Sequence, residues 1–415
     1  MIKNDLGHLN CPFYEQKLEN GLNVIFVPRK SELKSGVIYI AQGGYPHDEE
    51  INSSKIPFGS AYFLEKMIMS YKTKNELKAM KTNGTSHIDF SYTCFNVDTL
   101  GDVFSAIQLV LNKICTLDFN EDDVEKFKQD NASFFQKQSD DPLIQTKKAC
   151  LNNLYFNSPI RNGFLPTKEQ SVFIHASSLK KLLTKYYASN NMTIMISGDF
   201  TPGEVIAKIK EMKVPGKTTT YSKAVSYQED YSKVNHYNKT LHLPYNYNVM
   251  NLGFKFPERK KLYDDYGIMM FESYEIISKV LFTENLNFLK GLHDIKCDLL
   301  GVSLSQGGED TYLLLTMKSD DKNTLGNYLT DYCSRLDKRF THADYQRVVN
   351  SYYYKAIRDL ACPRTALDDF TVAYANNLPF TGLVGSTTKM RFANFKNFVA
   401  LISTYPKATS VLEKI

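Results

Sequence analysis

The sequence predicts an α+β protein of two similar α/β domains in tandem, and three observations carry that expectation. The chain has 415 residues, more than one ordinary core holds, and fits two domains of ~200 residues each. Segments of strand period and of helix period alternate along it. A polar break near residues 215–238 is followed by a second cycle of strands and helices in a similar order. The expected division is therefore 1–218, a linker at 219–238, and 239–415.

Tyr14–Leu18 and Leu22–Val27 read as strands around Glu19-Asn20-Gly21, because Asn-Gly adopts the positive φ angles of a tight turn. A third strand is expected at Gly36–Ala41. Apolar residues at Ala61, Leu64, Ile68 and Met69 have helical spacing, so a helix is expected over Gly59–Ser70. Next come a helix near Thr73–Thr82, a break at Gly84, a strand pair including Ile88–Asn96, and an amphipathic helix over Leu100–Cys115. Asn120 caps one further helix to Gln138, with Glu121, Asp122 and Asp123 suiting its positive end. Helices at Leu143–Tyr155 and Ala176–Tyr187 precede a strand at Met192–Ser197.

The stretch from Pro215 to Asn238 is polar, lacks a period, and holds the charged run from Gln228 to Tyr231, as a linker does. Beyond it a strand is expected at Val249–Phe256, a helix at Asp264–Leu281, and a helix or turn at Asn285–Asp294. Strands through Leu299–Lys318, a helix after Thr324 and a helix at Phe392–Tyr405 complete the cycle. At an offset of 225, Phe63-Leu64 recurs as Phe288-Leu289 and Thr99-Leu100-Gly101 as Thr324-Leu325-Gly326, which suggests a duplicated unit.

Hydrophobic residues at 43% and charged residues at 23% place the chain among folded proteins. Its charge of +5 is spread, with only short clusters such as Arg259-Lys260-Lys261, so no nucleic-acid partner is expected. No apolar run approaches the ~20 residues of a membrane span. The start at Met1-Ile2-Lys3-Asn4-Asp5 carries no apolar signal core. Cys11, Cys94, Cys115, Cys150, Cys297, Cys333 and Cys362 stand singly, which fits free thiols in a reducing cytoplasm. The eight histidines form no HxxxH or HxH pair, so no metal is expected to be held by them. Gly43-Gly44 and Gly307-Gly308 lack a phosphate-loop context and read as turns. No G-x-S-x-G elbow exists. Tyr352–Tyr354 lie on an expected helix, where tyrosines more often pack than stack on bases.

The segment Leu18-Glu-Asn-Gly-Leu-Asn-Val-Ile-Phe-Val-Pro28, followed by Gly59-Ser-Ala-Tyr-Phe-Leu-Glu-Lys-Met67, resembles the start of the insulinase/pitrilysin family of zinc peptidases. The second segment matches that family's G-x-A-H-F-L-E-H-M helix, and the order of elements is similar over the whole chain. The resemblance implies domains of the pitrilysin/processing-peptidase type, each an antiparallel-rich sheet packed with helices. The family's inverted motif HxxEH puts two His one helical turn apart on one Zn²⁺, with the Glu activating water. Carried over, the first His becomes Tyr62, the Glu stays as Glu65, and the second His becomes Lys66. The third ligand, a Glu on a later helix in a pattern like V-E-K-E-R-x-x-x-x-x-E, falls on Phe134 in the stretch from Val124, with Phe127 at the other acidic position.

Two further family features look altered. An Asn-Ala pair on the substrate-clamping strand corresponds to Asn83-Gly84, and an R-x-x-x-G-L-x-Y segment falls on Asn287–Asp294, keeping Gly291-Leu292 but replacing its Arg and Tyr. The resemblance thus implies a peptidase fold without a zinc cofactor or catalytic residues of its own. A family chamber is two such halves, so the expected partners are a sibling subunit with an intact HxxEH and a peptide in the shared chamber. The alternatives are a peptide-binding or scaffold protein, a structural subunit like the core proteins of the respiratory cytochrome bc complex, and an active metallopeptidase with unusual ligands.

Overall fold

The computed structural model describes residues 1–5, 11–41, 43, 56–163, 165–217, 228–258, 269–305, 310–376 and 390–414. Gly44, Gly307-Gly308, Arg259-Lys260-Lys261 and 219–227 of the expected linker lie outside the described residues. The chain forms two compact units that interleave in sequence. The first comprises 1–136, 165–225 and 356–381, and the second 137–164, 226–355 and 382–415. This differs from a single cut at 219–238.

The first unit holds strands β1 (Ile2–Asp5), β2 (Pro12–Lys17), β3 (Asn23–Pro28), β4 (Lys34–Ala41), β5 (Thr82–Ile88), β6 (Tyr92–Thr99) and β7 (Met192–Gly198). They form one sheet in the order β1-β2-β3-β7-β4-β6-β5, with β3 and β7 parallel and all other neighbours antiparallel. All seven residues of β7 are buried, the pattern of a central strand covered on both faces. The loop between β2 and β3 turns at Gly21, whose φ is 84°. A Cβ there would come within 2.7 Å of Asn190 Cβ.

Three helices follow the sheet's early strands: α1 (Ser60–Ile68), α2 (Tyr71–Ala79) and α3 (Val103–Thr116). Asp102 caps α3 by accepting from the Phe104 N–H at 3.0 Å. The single helix expected to Gln138 is two, α4 (Glu121–Asp130) and α5 (Ala132–Asp140). Asn120 does cap α4, in a reciprocal box with Asp123. The break falls at Asn131, the C-cap of α4, whose side-chain amide and backbone N–H both donate to the Phe127 carbonyl, at 2.8 and 3.1 Å.

The segment Pro363–Ala375 belongs to this unit because its apolar face covers the sheet: Tyr374 meets Tyr39 at 5.2 Å and Phe370 meets Phe13 at 5.2 Å. In the second unit the helix Pro142–Leu154 plays that covering role. Ser410 donates to the Thr146 carbonyl at 2.7 Å, and a Cβ on Gly253 would lie 2.7 Å from Leu154 Cδ1. Such pairings between distant segments set the interleaving.

The second sheet contains β8 (Asn238–Leu243), β9 (Asn248–Lys255), β10 (Cys297–Ser305), β11 (Tyr312–Ser319) and β12 (Lys407–Lys414), in the order β10-β11-β9-β12-β8. Read backwards, this is the order β3-β7-β4-β6-β5 with the same directions, including one parallel pair, β8 with β12. The duplication is therefore real in topology. The offset is a different matter, since β3 and β8, β5 and β10, and β7 and β12 each start 215 residues apart.

Lys81 and Lys296, also 215 apart, are the positive-φ non-glycine residues among the described ones, at 55° and 57°. They follow α2 and the helix Leu286–Asp294, which makes those two helices counterparts. The match of Phe63-Leu64 to Phe288-Leu289 is thus a coincidence of composition. So is that of Thr99-Leu100-Gly101 to Thr324-Leu325-Gly326. Thr99 accepts from the Gly101 N–H at 2.9 Å, and the residue doing the same for its neighbour in the second unit is Ser319, bonded by the Asp321 N–H at 3.0 Å.

Candidate functional site

Helix α1 starts abruptly at Gly59, which has φ 94° and faces Pro166; a Cβ there would approach the proline to 2.5 Å. Ser60 donates to the Pro57 carbonyl at 2.7 Å and closes the turn. Glycine is needed for both the backbone angle and the space. Gly59→Ala is expected to lower the stability of the first unit by about 1–3 kcal/mol, read as a lower urea midpoint.

From that start, Tyr62 and Lys66 are one helical turn apart and share a face. The Lys66 ammonium lies 5.3 Å from the centre of the Tyr62 ring. The other face of α1 is buried, with Phe63 and Leu64 at 0% exposure. Glu65 is also at 0%. Its Oε1 accepts from Lys66 Nζ at 3.1 Å, while Oε2 lies equally close without hydrogen-bond geometry and is held by charge.

Phe134, on α5, stacks on Tyr62 with ring centres 5.6 Å apart and planes within 9°. The positions that the family resemblance assigns to its first His and its third ligand therefore meet in space. Phe135 stacks on Phe63 at 5.3 Å, and Phe127 packs on Phe63 at 4.9 Å. Sequence comparison singled out Phe134 and Phe127 but missed Phe135, which carries the packing beneath them and has no counterpart in the motif.

These residues do not fit zinc. Burial, aided by the nearby Glu65 charge, pushes the Tyr62 phenol up to about 12, so it is a neutral hydroxyl at neutral pH. A lysine ammonium carries no lone pair for a metal, and phenylalanine offers no ligand atom. Among the described residues no group of three His, Cys, Asp or Glu side chains is placed to hold a metal ion.

Asn83 and Gly84 lie on β5, the edge of the first sheet. Asn83 is exposed. Gly84 faces α2, where a Cβ would sit 2.3 Å from Leu77 Cδ1, so the packing of Leu77 leaves no room for the family's alanine. In the second unit, Asn287 and Asp294 are exposed on the helix Leu286–Asp294, and Leu292 is buried. Gly291 lies against Tyr328, whose hydroxyl donates to the Phe288 carbonyl at 3.1 Å. Tyr352 packs on the second core while Tyr354 is exposed.

The charged run from Gln228 to Tyr231, expected as solvated linker, is instead tied into the second unit. The side chains of Lys255, on β9, and Glu229 are both fully buried and 2.6 Å apart. The ammonium also donates to the carbonyls of Asp230 and Lys233 at 2.7 and 3.1 Å, facing the rings of Tyr155 and Phe156 at 5.0 and 5.3 Å. Glu229 in turn accepts the N–H groups of Phe156, Asn157 and Ser158 at 3.0, 2.7 and 3.0 Å. Nothing in the sequence pattern marks this pair.

No protein-family model matches the chain. Over 220 residues it is 23% identical to a protein named as an uncharacterized zinc protease, YmfH, of Bacillus subtilis, and the match spans about half of each, 51%. Among solved structures, an M16-like peptidase from Alicyclobacillus acidocaldarius has a TM-score of 0.83 at 16% identity, over 98% of this chain and 99% of that one. A peptidase M16 inactive domain from Pseudomonas fluorescens has a TM-score of 0.79 at 13% identity, over 97% and 98%. The periplasmic protease PqqL of Escherichia coli has a TM-score of 0.70 at 14% identity, and the whole of this chain covers 48% of it.

Proposed function

We propose that this chain, a zinc-protease homologue with the M16 peptidase fold and a degenerate zinc site, is the non-catalytic subunit of a heterodimeric peptide-processing peptidase. The observation that carries the proposal is the stack of Tyr62 on Phe134 with the Lys66 ammonium on Glu65, at the place where the family's ligands belong. A water-activating glutamate needs a metal to lower the pKa of its water, and Glu65 is instead paired with a cation. That the chain spans about half of the PqqL chain supports a chamber completed by a second half.

The subunit's part in the pair is to supply chamber wall and substrate contacts while a sibling with an intact HxxEH cuts. Among the described residues no strand pairs with the outer side of β5, where Asn83, Thr85 and His87 are exposed. That edge suits an extended peptide adding as a further strand. The same proposal places the pair in the cytoplasm.

A tagged copy purified from its native cells is expected to bring down a protein of similar size that carries HxxEH. Recovery of this chain alone, with bound peptides and no such companion, would replace the proposal with a peptide-holding scaffold.

A further inference from the structure

We infer that the Lys66 ammonium is the resident cation of the degenerate site, standing where a metal stands in a zinc peptidase, and that Glu65 is retained as its structural counter-ion. The inference uses the loss of the zinc site and is independent of whether a partner subunit exists.

A carboxylate removed wholly from water is strongly unfavourable unless a positive charge or several donors meet it. Glu65 is at 0% exposure, and among the described residues Lys66 Nζ donates to its Oε1 at 3.1 Å and lies 3.1 Å from its Oε2. The pairing is not automatic. Adjacent residues on a helix diverge by about 100°, so Lys66 has to fold back along its own helix to reach Glu65.

It does so over the Tyr62 ring, whose negative face attracts the ammonium at 5.3 Å. Tyr62 is fixed in turn by its parallel stack on Phe134. The three replacements thus act as one device: Phe134 orients Tyr62, Tyr62 carries the lysine stem, and the lysine neutralises Glu65. Glu65 remains glutamate because the site is built around its charge. Adding a divalent ion would place surplus positive charge beside an ammonium, so the device also excludes zinc. A chelator that strips zinc from a catalytic sibling would leave this half folded.

The test is chemical unfolding of the full chain as wild type, Glu65→Gln, Lys66→Met and the double variant Glu65→Gln/Lys66→Met, each with added zinc and with chelator. Lys66→Met is expected to lower the folding equilibrium constant of the first unit on the order of a hundredfold, because it strands a buried anion. The double variant is expected to regain most of that loss, and zinc and chelator are expected to leave the wild-type curve in place. If Lys66→Met does not fold, a folded double variant still supports the device, and an unfolded one overturns it. Wild-type stability in Lys66→Met, additive effects in the double variant, or a wild-type midpoint raised by one equivalent of zinc would each overturn it as well. Failure to find a companion subunit alters none of these outcomes.

Discussion

Lys255→Met is expected to destabilise the second unit by about 3 kcal/mol, because it leaves Glu229 buried without its cation. The pair is at 0% exposure on both sides, and the residues that hold it, Glu229 to Lys233, lead the chain onto β8. The three N–H groups on Glu229 compensate part of the loss, which keeps the figure at the low end for a broken buried pair. Urea unfolding followed by a probe in the second unit measures it.

The same pair has a pH signature. Burial by itself pushes the Glu229 carboxyl up, but the hydrogen bond from Lys255 and those from the Asn157 and Phe156 N–H groups outweigh it. The net position is below the ordinary 4.5. A carboxyl lowered in the fold contributes stability that is fully present above 4.5 and is lost as pH falls through its folded value. The urea midpoint of the second unit is therefore expected to fall on acidification below that point. Glu229→Gln is expected to flatten this part of the profile while lowering the midpoint at neutral pH.

The second large effect concerns activity. In the pair proposed above, once reconstituted, Glu65→Gln in this chain is expected to leave the rate of peptide cleavage within about twofold. The corresponding Glu→Gln change in the sibling's HxxEH is expected to lower kcat by about 10²–10⁴-fold, the range for removing a general base. The contrast separates a structural carboxylate from a catalytic one. Equal losses from the two substitutions would mean that Glu65 takes part in chemistry.

Much of this was legible in the sequence where local signals were strong. The Asn20-Gly21 turn, the helix spacing from Ala61 to Met69 and the Asn120 cap all correspond to features of the fold. What was not legible depends on contacts between distant segments. The strand β8 reads Asn-Lys-Thr-Leu-His-Leu and is largely exposed, with apolar residues at Leu241 and Leu243 alone, too short an alternation to mark a strand. The strand β12 lies inside its sheet, between β9 and β8, yet its Ser410 and Thr409 obscure the strand period.

The membership of Pro142–Leu154 and Pro363–Ala375 in their units is set by the sheets they cover, which no local pattern encodes. The duplication was read correctly as a repeat of elements but at a spacing of 225. Chance identity at Phe288-Leu289 outweighed the true equivalence of Lys81 and Lys296, which only backbone angles reveal. At the candidate site, a pairing of adjacent Glu65 and Lys66 is legible from the sequence, but the stack of Phe134 on Tyr62 is not, because it follows from the approach of α5 to α1.

The most direct measurement is the zinc content and peptide cleavage of the purified chain, alone and with the companion recovered from its native cells. The account predicts a metal-free, inactive chain by itself, with zinc and cleavage present only when the companion is added and lost when the companion's own motif is changed. Stoichiometric zinc on the lone chain, with cleavage abolished by Glu65→Gln, would contradict it.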